Sequence, residues 1–408
     1  MAALTARGAE ARFVGGCVRD AVLGRPVADI DIATHDPPET VIALLEAAGI
    51  RAVPTGIDHG TITAVTGGAH FEITTLRRDV ETYGRRAKVA FTDDWTADAA
   101  RRDFTFNALF CAPDGTLYDA FDGLADLRAG CVRFVGDARE RIREDVLRLL
   151  RFFRFFAHYG NPPPDAEALA ACRELAPCLP TLSGERVRAE LFRLLAAPEP
   201  ASVVALMAKE GVLAHLLPEP WNIPRLAALA ALDPGLGTPD PLRRLAALVV
   251  HDGDGALALA ARLRLTGAER DRLVAIAAAL AEFTPPADKA ARRRWVYRHG
   301  AALFRDLVLL HWAGATAGGS PDDPVAPRTL DALTELEAPP IPEFPLKGRD
   351  VLALGVPRGP AVGTLLAAVE DWWVAGDFQA DREGCLNRLA ALAAAATANR
   401  DHICGENS

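Results

Sequence analysis

Residues 14–34 read VGGCVRDAVLGRPVADIDIAT, and this stretch decides the fold. The run ARFVGG that enters it is a strand ending in a glycine turn, CVRDAVLG is a short helix closed by Gly24, and VADIDIAT is a second strand. Alternate side chains of a strand share a face, which sets Asp29 beside Asp31. Two carboxylates facing one way repel unless a cation lies between them, so the pair is a natural magnesium site. In phosphoryl transfer two such ions can clamp the attacking and leaving oxygens while offsetting charge that develops on phosphorus. The turn at Gly15 and Gly16 opens a helix, where free backbone N–H groups can hold a triphosphate, and Arg19 lies one turn further in.

Working outward, PPETVIALLEAAG (37–49) is a helix with proline at its start and glycine at its end. GTITAVTGGAHFEITTL (60–76) has two alternating runs around Gly67 and Gly68, the pattern of a β-hairpin. Glu72 alternates with Phe71 and Ile73, so it points away from that apolar pair and is a candidate third carboxylate beside the metal. These elements predict a small mixed sheet flanked by helices. From about residue 138 the pattern is helical: ARERIREDVLRLLRFFRFFAHYG, DAEALAACRELAP and GERVRAELFRLLAA, each stopped by glycine or proline. Linker-like stretches are NPPPD near 161, FTPPADK near 283, and GGSPDDPVAPR and EAPPIPEFP after 318. No repeat of fixed period is evident.

The chain has 408 residues, and at about 100 to 200 residues per domain it should hold two to four domains. A formal net charge of −9 excludes an indiscriminate RNA sponge, so any RNA site must be a local basic patch on an acidic body. The seven cysteines (Cys17, Cys111, Cys131, Cys172, Cys178, Cys385 and Cys404) form no CxxC pair and no zinc-knuckle spacing, and unpaired thiols fit a reducing cytoplasm. The first residues lack an uncharged apolar leader core, and no stretch reaches ~18 apolar residues without charge, so the expectation is a soluble cytoplasmic protein without a membrane span.

GGCVRDAVLG followed by ADID resembles the opening motif of the class II tRNA nucleotidyltransferase and bacterial poly(A) polymerase family, within the polymerase β superfamily. Further stretches resemble the family's later motifs in order: RRDFTFNAL (101–109), DAFDGLADLRAGCVR (119–133), REDVLRLLRFFRF (143–155) and SGERVRAEL (183–191). The resemblance implies an α+β protein: a polymerase β-like nucleotidyltransferase head over residues 1–137, then an elongated all-α neck (138–197), body (198–318) and tail (319–408), the tail binding tRNA. It implies template-independent addition of CCA to tRNA 3′ ends from CTP and ATP, with Mg2+, two ions in the reacting complex. It further implies that Arg102 binds nucleotide, that Asp103 reads the ribose hydroxyl, and that Asn107 braces the site.

In EDVLRLLRFFRF, Asp145 and Arg148 lie three apart on a predicted helix, neighbours on one face, with Arg151 next. Cytosine and adenine both offer an exocyclic amino donor beside a ring-nitrogen acceptor, whereas guanine and uracil offer the reverse. A carboxylate beside a guanidinium complements the first arrangement and leaves polar groups unpaired against the second. Arg151 and Arg154 continue along the helix and, by the resemblance, contact the nucleotide at its triphosphate. The interleaved Phe152, Phe153, Phe155 and Phe156 are expected in the core.

The charged interval RRDVETYGRRAKVAFTDDW (77–95) matches a flexible loop of the family associated with the switch from C to A addition. Arg77, Arg85, Arg86 and Lys88 are either mobile basic contacts there or part of an ordinary solvated loop. The densest basic run includes Lys289, Arg292, Arg293, Arg294 and Arg298, and two readings stay open, tRNA backbone contact and a solvated helix face. LKGRDVLALGVPRGPAVGTLLAAVEDWW (346–373), with Lys347 and Arg349, resembles a family segment whose glycines either let phosphates approach backbone amides or shape a helix junction. His251-Asp252 lacks the partner ligands of a metal phosphohydrolase site. Competing functions are a poly(A) polymerase, a CC-only or A-only adding enzyme, a small-molecule nucleotidyltransferase, and an inactive RNA-binding module; retention of Asp29, Asp31, Arg102 and Asp145 argues against the last.

Overall fold

The computed structural model describes residues 1–83, 86–232, 237–249, 252–318 and 342–405. Arg85, His251 and most of the linker-like sequence after 318 lie outside them, as do the side chains of Arg86, Lys88 and Cys404. The chain forms two compact units, Met1–Val274 and Ala275–Ser408.

The first unit opens with α1 (Ala2–Thr5), β1 (Ala11–Val14), α2 (Gly16–Val22), β2 (Ile30–Thr34), α3 (Pro38–Ala47), β3 (Arg51–Gly56), β4 (Thr61–Thr66) and β5 (Ala69–Thr75). A ribbon of β6 (Arg77–Tyr83) and β7 (Arg86–Phe91) follows, then α4 (Trp95–Ala100), β8 (Phe110–Cys111), β9 (Leu117–Tyr118) and α5 (Gly123–Ala129). The main sheet has the order β3-β4-β5-β2-β1-β8-β9, and β2 with β5 is its parallel pair. Gly67 and Gly68 both take positive φ, 59° and 77°, as the tight β4–β5 turn requires.

Period-two alternation assigns the two faces of this sheet. Ile32, Ile62 and Ile73, with Ile30 and Phe71 packed against them, meet Val41 and Leu45 of α3 on one face. Ala33, Val14 and Phe110 lie on the other, with Leu76, Ala99 and Val135. Each such fully buried aliphatic side chain stabilises by roughly 1.5–3 kcal/mol, and that burial fixes the register. Asp31 and Glu72 therefore fall on the face opposite α3.

One element was not anticipated from the sequence and a second differs from expectation. RAVPTG forms the edge strand β3, where Pro54 needs no ladder partner on its outer side, with a register shift between Val53 and Gly56. The charged interval after β5 is not a loop throughout, since β6 and β7 pair antiparallel from Arg77↔Phe91 onward.

The helices that follow are α6 (Ala138–Glu144), α7 (Leu147–Tyr159), α8 (Ala166–Leu175), α9 (Gly184–Leu195), α10 (Pro200–Lys209), α11 (Leu213–Leu216), α12 (Ile223–Leu232), α13 (Pro241–Leu248), α14 (Gly253–Arg262) and α15 (Gly267–Leu280). The predicted continuous helix from 138 is broken at Asp145, which takes an extended conformation (φ −151°, ψ 106°). Its Oδ1 accepts the Leu147 N–H at 3.2 Å, so the short acid does at a helix start what it cannot do inside one. Asp145 and Arg148 are consequently not two positions on one helix. In α7, Phe152, Phe153, Phe155 and Phe156 are buried as expected.

The second unit contains α16 (Lys289–His299), α17 (Ala301–Ala317), α18 (Gly348–Leu352), α19 (Pro360–Ala375) and α20 (Arg382–Gly405). Its core gathers Val351, Val369, Trp373, Val374, Cys385 and Leu389. Among the described residues no helix is long and apolar enough to cross a membrane.

Candidate active site

A cleft of about 600 Å³ in the first unit is walled by Gly15, Gly16, Arg19, Asp29, Asp31, Arg102, Asp103, Asn107, Arg151 and Arg154, with Phe155, His158, Tyr159, Arg193 and Ala196. It unites the glycine turn, the DxD pair and the basic stripe of α7, which lie far apart in sequence.

Gly15 has φ 73° and ψ −126°, backbone that only glycine adopts freely. A Cβ there would also stand 3.2 Å from Arg102 Nη1, so the turn makes room for an arginine of the cleft. Asp29 sits one residue ahead of β2, and Asp31 on β2 is in register with Glu72 on β5. Burial raises the proton affinity of Asp31, Glu72 and Asp29 raise it further, and Arg102 opposes them. Glu72 does not line the cleft.

Carboxylates whose mutual repulsion is only partly offset by Arg102 fit a divalent cation. Among the described residues no group of three or more His, Cys, Asp or Glu side chains is assembled to hold a metal ion. A donor set of one or two carboxylates suits magnesium, which keeps waters and takes substrate phosphate oxygens for the rest of its shell.

The basic wall is held by buried acids. Arg151 Nε donates to Asp103 Oδ2 at 2.7 Å, Asn107 Nδ2 donates to Asp103 Oδ1 at 2.9 Å, and Arg19 Nη1 donates to Asn107 Oδ1 at 2.7 Å. Burial alone would raise the Asp103 pKa, but Arg151, Asn107 and the Phe104 N–H override it and hold it down at about 2. Arg19 is clasped by Asp20 and lies over the Tyr159 ring, its guanidinium carbon 4.3 Å from the centroid, while the Tyr159 hydroxyl donates to Asp20 at 2.9 Å.

Glu190 on α9 was not singled out from the sequence. It is 3% exposed and sits beside Arg154 (2.9 Å), Arg193 (3.4 Å) and Arg151 (3.7 Å). Arg154 Nε and Glu190 Oε2 are close but poorly aligned for hydrogen bonding, so this contact is mainly ionic. Burial, and then repulsion from Arg151, push the Arg154 pKa down to about 10 despite Glu190.

Asp145 and Arg148 are not brought together side chain to side chain, and neither lines the cleft. Asp145 Oδ2 accepts from Arg186 Nη2 at 2.7 Å, whereas Arg148 binds Glu144 and donates to the carbonyls of Arg141 (3.0 Å) and Arg101 (3.2 Å). In the second unit Arg293 pairs with Asp377 at 3.2 Å and Arg292 donates to the carbonyls of Pro286 and Ala287, while Arg294 lies half-buried on the same helix. Lys347 and Arg349 are exposed.

Residues 11–133 match the family described as "Poly A polymerase head domain", and residues 164–223 match "Probable RNA and SrmB- binding site of polymerase A". Fold and cleft thus define a nucleotidyltransferase of the polymerase β superfamily. The chain is 35% identical to the mitochondrial CCA tRNA nucleotidyltransferase 1 of Danio rerio, covering 93% of this chain and 87% of that protein. It is 32% identical to the CCA-adding enzyme of Geobacillus stearothermophilus, covering 93% and 92%. The crystal structure of the Bacillus stearothermophilus CCA-adding enzyme in complex with CTP superposes with a TM-score of 0.77 at 28% identity, covering 98% of this chain and 97% of that one. The chain belongs to the class II CCA-adding tRNA nucleotidyltransferases. Enzymes of this type depend on a divalent metal ion.

Proposed function

We propose that this chain adds C, C and A to the 3′ end of tRNA from CTP and ATP, the RNA 3′-hydroxyl attacking the nucleotide α-phosphate and pyrophosphate leaving. The observation that carries the reading is that Asp29 and Asp31 share one cleft with Arg19, Arg102, Arg151 and Arg154. A carboxylate pair and a set of fixed guanidinium groups are the two halves of a site for a metal-bound triphosphate. The relatives' names supply the RNA acceptor and the solved neighbour supplies CTP.

Asp29 and Asp31 would hold magnesium, two ions in the reacting complex, with Glu72 close enough to take part. When bound, magnesium offsets charge on the phosphate oxygens and lowers the pKa of the attacking hydroxyl. Gly16 presents its backbone N–H to the phosphates, whereas the Gly15 N–H, expected to be free, is given to the Leu109 carbonyl at 3.1 Å, and Arg19, Arg102, Arg151 and Arg154 neutralise the triphosphate and the departing pyrophosphate. Because Arg151 and Arg19 are pre-set through Asp103 and Asn107, little reorganisation is needed when the nucleotide arrives. Asp103 thereby serves more as the anchor of Arg151 than as a free acceptor for ribose, and Asn107 braces the wall.

Asp145 and Arg148 read the base edge in this proposal. Asp145 would exchange or share its Arg186 contact when a cytosine or adenine amino group is presented. The head, neck, body and tail then span residues 1–137, 138–197, 198–318 and 319–408. In the second unit the exposed Lys347 and Arg349 are better placed to meet RNA than Arg292 or Arg293, whose charges are already engaged. The unpaired state of the six described cysteines supports a reducing, cytoplasmic setting.

The test is incubation with magnesium and tRNA transcripts ending at the discriminator base, at C and at CC, with labelled nucleotides offered singly and together. Addition of C, C and A followed by arrest is expected, and it should vanish in Asp29→Ala. Long A tails would make the chain a poly(A) polymerase, and no incorporation would sink the proposal.

A further inference from the structure

Past Arg19 the cleft continues beyond the groups that the reaction uses. Its wall there is His158 and Tyr159, the last two residues of α7, with Arg193 of α9 and Ala196. Contacts order the groups along the cleft. Arg102 acts on the Asp31 carboxyl and stands 3.2 Å from where a Gly15 Cβ would lie, and Arg19 stands 3.7 Å from the same point on Gly16. The Tyr159 ring lies against Arg19, 4.3 Å from its guanidinium carbon, and Arg25, just past α2, lies over the same ring at 4.4 Å. The series runs from the metal carboxylates through the glycine turn and Arg19 to Tyr159 and Arg25. A triphosphate with its α-phosphate at the metal points its terminal phosphate toward Tyr159.

The arginines at this outer end differ from those further in. Arg102 is paired at 3.0 Å with Asp98, which is 1% exposed, Arg151 is paired with Asp103, and Arg19 with Asp20. Arg25 is exposed and forms no ion pair among the described residues; it donates to the His158 carbonyl at 3.0 Å and covers the Tyr159 ring. Arg193, its side chain 61% exposed, meets Glu190 at 3.4 Å, a carboxylate it shares with Arg151 and Arg154. His158 ties the two together, since its Nε2 donates to the Arg193 carbonyl at 2.8 Å while its own carbonyl holds Arg25. The excess of positive charge is felt at its ring: burial lowers the proton affinity of His158, and Arg154, Arg25 and Arg19 lower it further.

Guanidinium groups without matching carboxylates favour an anion. During transfer the RNA 3′-oxygen bonds to the α-phosphorus, and the bond from that phosphorus to the bridging oxygen breaks with its electron pair left on the oxygen. The pyrophosphate so formed carries more negative charge than the same two phosphates did within the nucleotide. It is also no longer tethered, so it can move outward along the cleft.

We propose that Arg193 and Arg25, set by His158 and the Tyr159 ring, form an exit subsite for magnesium-bound pyrophosphate just outside the triphosphate site. The inference rests on the nucleotide reading of the cleft. Because the subsite lies past the terminal phosphate of the bound nucleotide, it holds product more than substrate. It draws the pyrophosphate away from the new phosphodiester and so favours the extended RNA over the reverse attack.

The test compares the full chain with Arg193→Gln, Arg25→Gln and the double variant. Arg25 lies away from Glu190, so Arg25→Gln alters the subsite without disturbing Arg151 and Arg154. Binding of magnesium pyrophosphate and of magnesium CTP is measured by calorimetry without RNA, and C addition to tRNA is followed with added pyrophosphate and with varied tRNA. In each single variant pyrophosphate affinity should fall about five- to tenfold, the scale of a half-exposed charge-assisted contact, while CTP affinity moves less than about twofold. The pyrophosphate concentration that halves the rate of C addition should rise in step.

Equal losses of CTP and pyrophosphate affinity in the single variants would overturn the proposal and give both arginines to the triphosphate. Unchanged pyrophosphate affinity would overturn it too, and a raised KM for tRNA alongside would give them to the RNA backbone. If the wild type adds nothing to tRNA, the reading of the cleft has failed. Pyrophosphate binding then judges the subsite separately, selective weakening in the variants supporting it and unchanged binding overturning it.

Discussion

Asp31 on β2 stands directly across from Glu72 on β5 in the one parallel pairing of the main sheet. Neighbouring strands lie about 4.8 Å apart, so the two carboxylates on this face are adjacent across the ladder while Asp29 approaches along it. A negative corner of this kind is stable only with a counter-charge, and Arg102 supplies part of it. Asp31→Asn should therefore remove a group on which the metal depends. Incorporation into tRNA should fall on the order of 10³-fold or more, the scale of losing a charge-stabilising group in a water-poor site. CTP binding measured without turnover should persist, because the arginines remain. Glu72→Gln should cost less. A fully active Asp31→Asn enzyme would contradict the assignment.

Base choice should fail separately from chemistry. Asp145 and Arg148 are held from outside the cleft, Asp145 by Arg186 at 2.7 Å and Arg148 by Glu144 and two carbonyls. Asp145→Ala removes the acceptor for an exocyclic amino group and leaves metal and triphosphate groups in place. Single-nucleotide incorporation assays should show the preference for C and A over U and G falling by about 10- to 100-fold. Uniform slowing with all four nucleotides and an unchanged preference would argue that Asp145 has a structural role only.

The glycine turn, the DxD strand and the β4–β5 hairpin were legible in the sequence because period-two alternation and glycines at positive φ are local signals. The anchors of the basic wall were not, because their partners are distant in sequence: Arg151 meets Asp103 and Asp145 meets Arg186 across more than forty residues. Two signals were nevertheless present. In α9, Val187, Glu190, Leu191 and Leu194 fall at i, i+3, i+4 and i+7, so Glu190 occupies a position of the apolar stripe. In α4, Trp95, Asp98 and Ala99 repeat the arrangement. A charge in a core stripe marks a buried ion pair whose partner must come from elsewhere. The break at Asp145 was obscured by the strong helical pattern on both sides of it.

Glu190 separates two roles that arginines in a cleft can have. It is 3% exposed and lies beside Arg151, Arg154 and Arg193, whose mutual repulsion it offsets. Glu190→Gln keeps the shape and removes the charge, so Arg151 and Arg154 should lose their fixed placement. KM for CTP and for ATP should both rise, by about 10-fold on the scale of one charge-assisted contact, with the C and A preference intact. A change in preference without a change in KM would contradict this placement and move Glu190 to base reading.

Acid sensitivity should trace to Asp103. Its carboxyl is held at about 2 against an ordinary value of 3.8, chiefly by Arg151 once burial is overcome. A depressed folded-state pKa means that the unfolded chain takes up the proton first. The stabilisation is therefore fully present above pH ~4, shrinks as pH falls toward ~2, and amounts to on the order of 2 kcal/mol. Urea unfolding followed from pH 7 to pH 2 should show this loss in the wild type, superimposed on the acid sensitivity of Asp98, whose carboxyl is also held low. In Asp103→Asn the protein should start less stable at pH 7, because Arg151 loses its principal buried partner, and its stability should fall less steeply below pH 4. Parallel pH profiles for the two proteins would show that the Asp103–Arg151 pair is not what holds the basic wall.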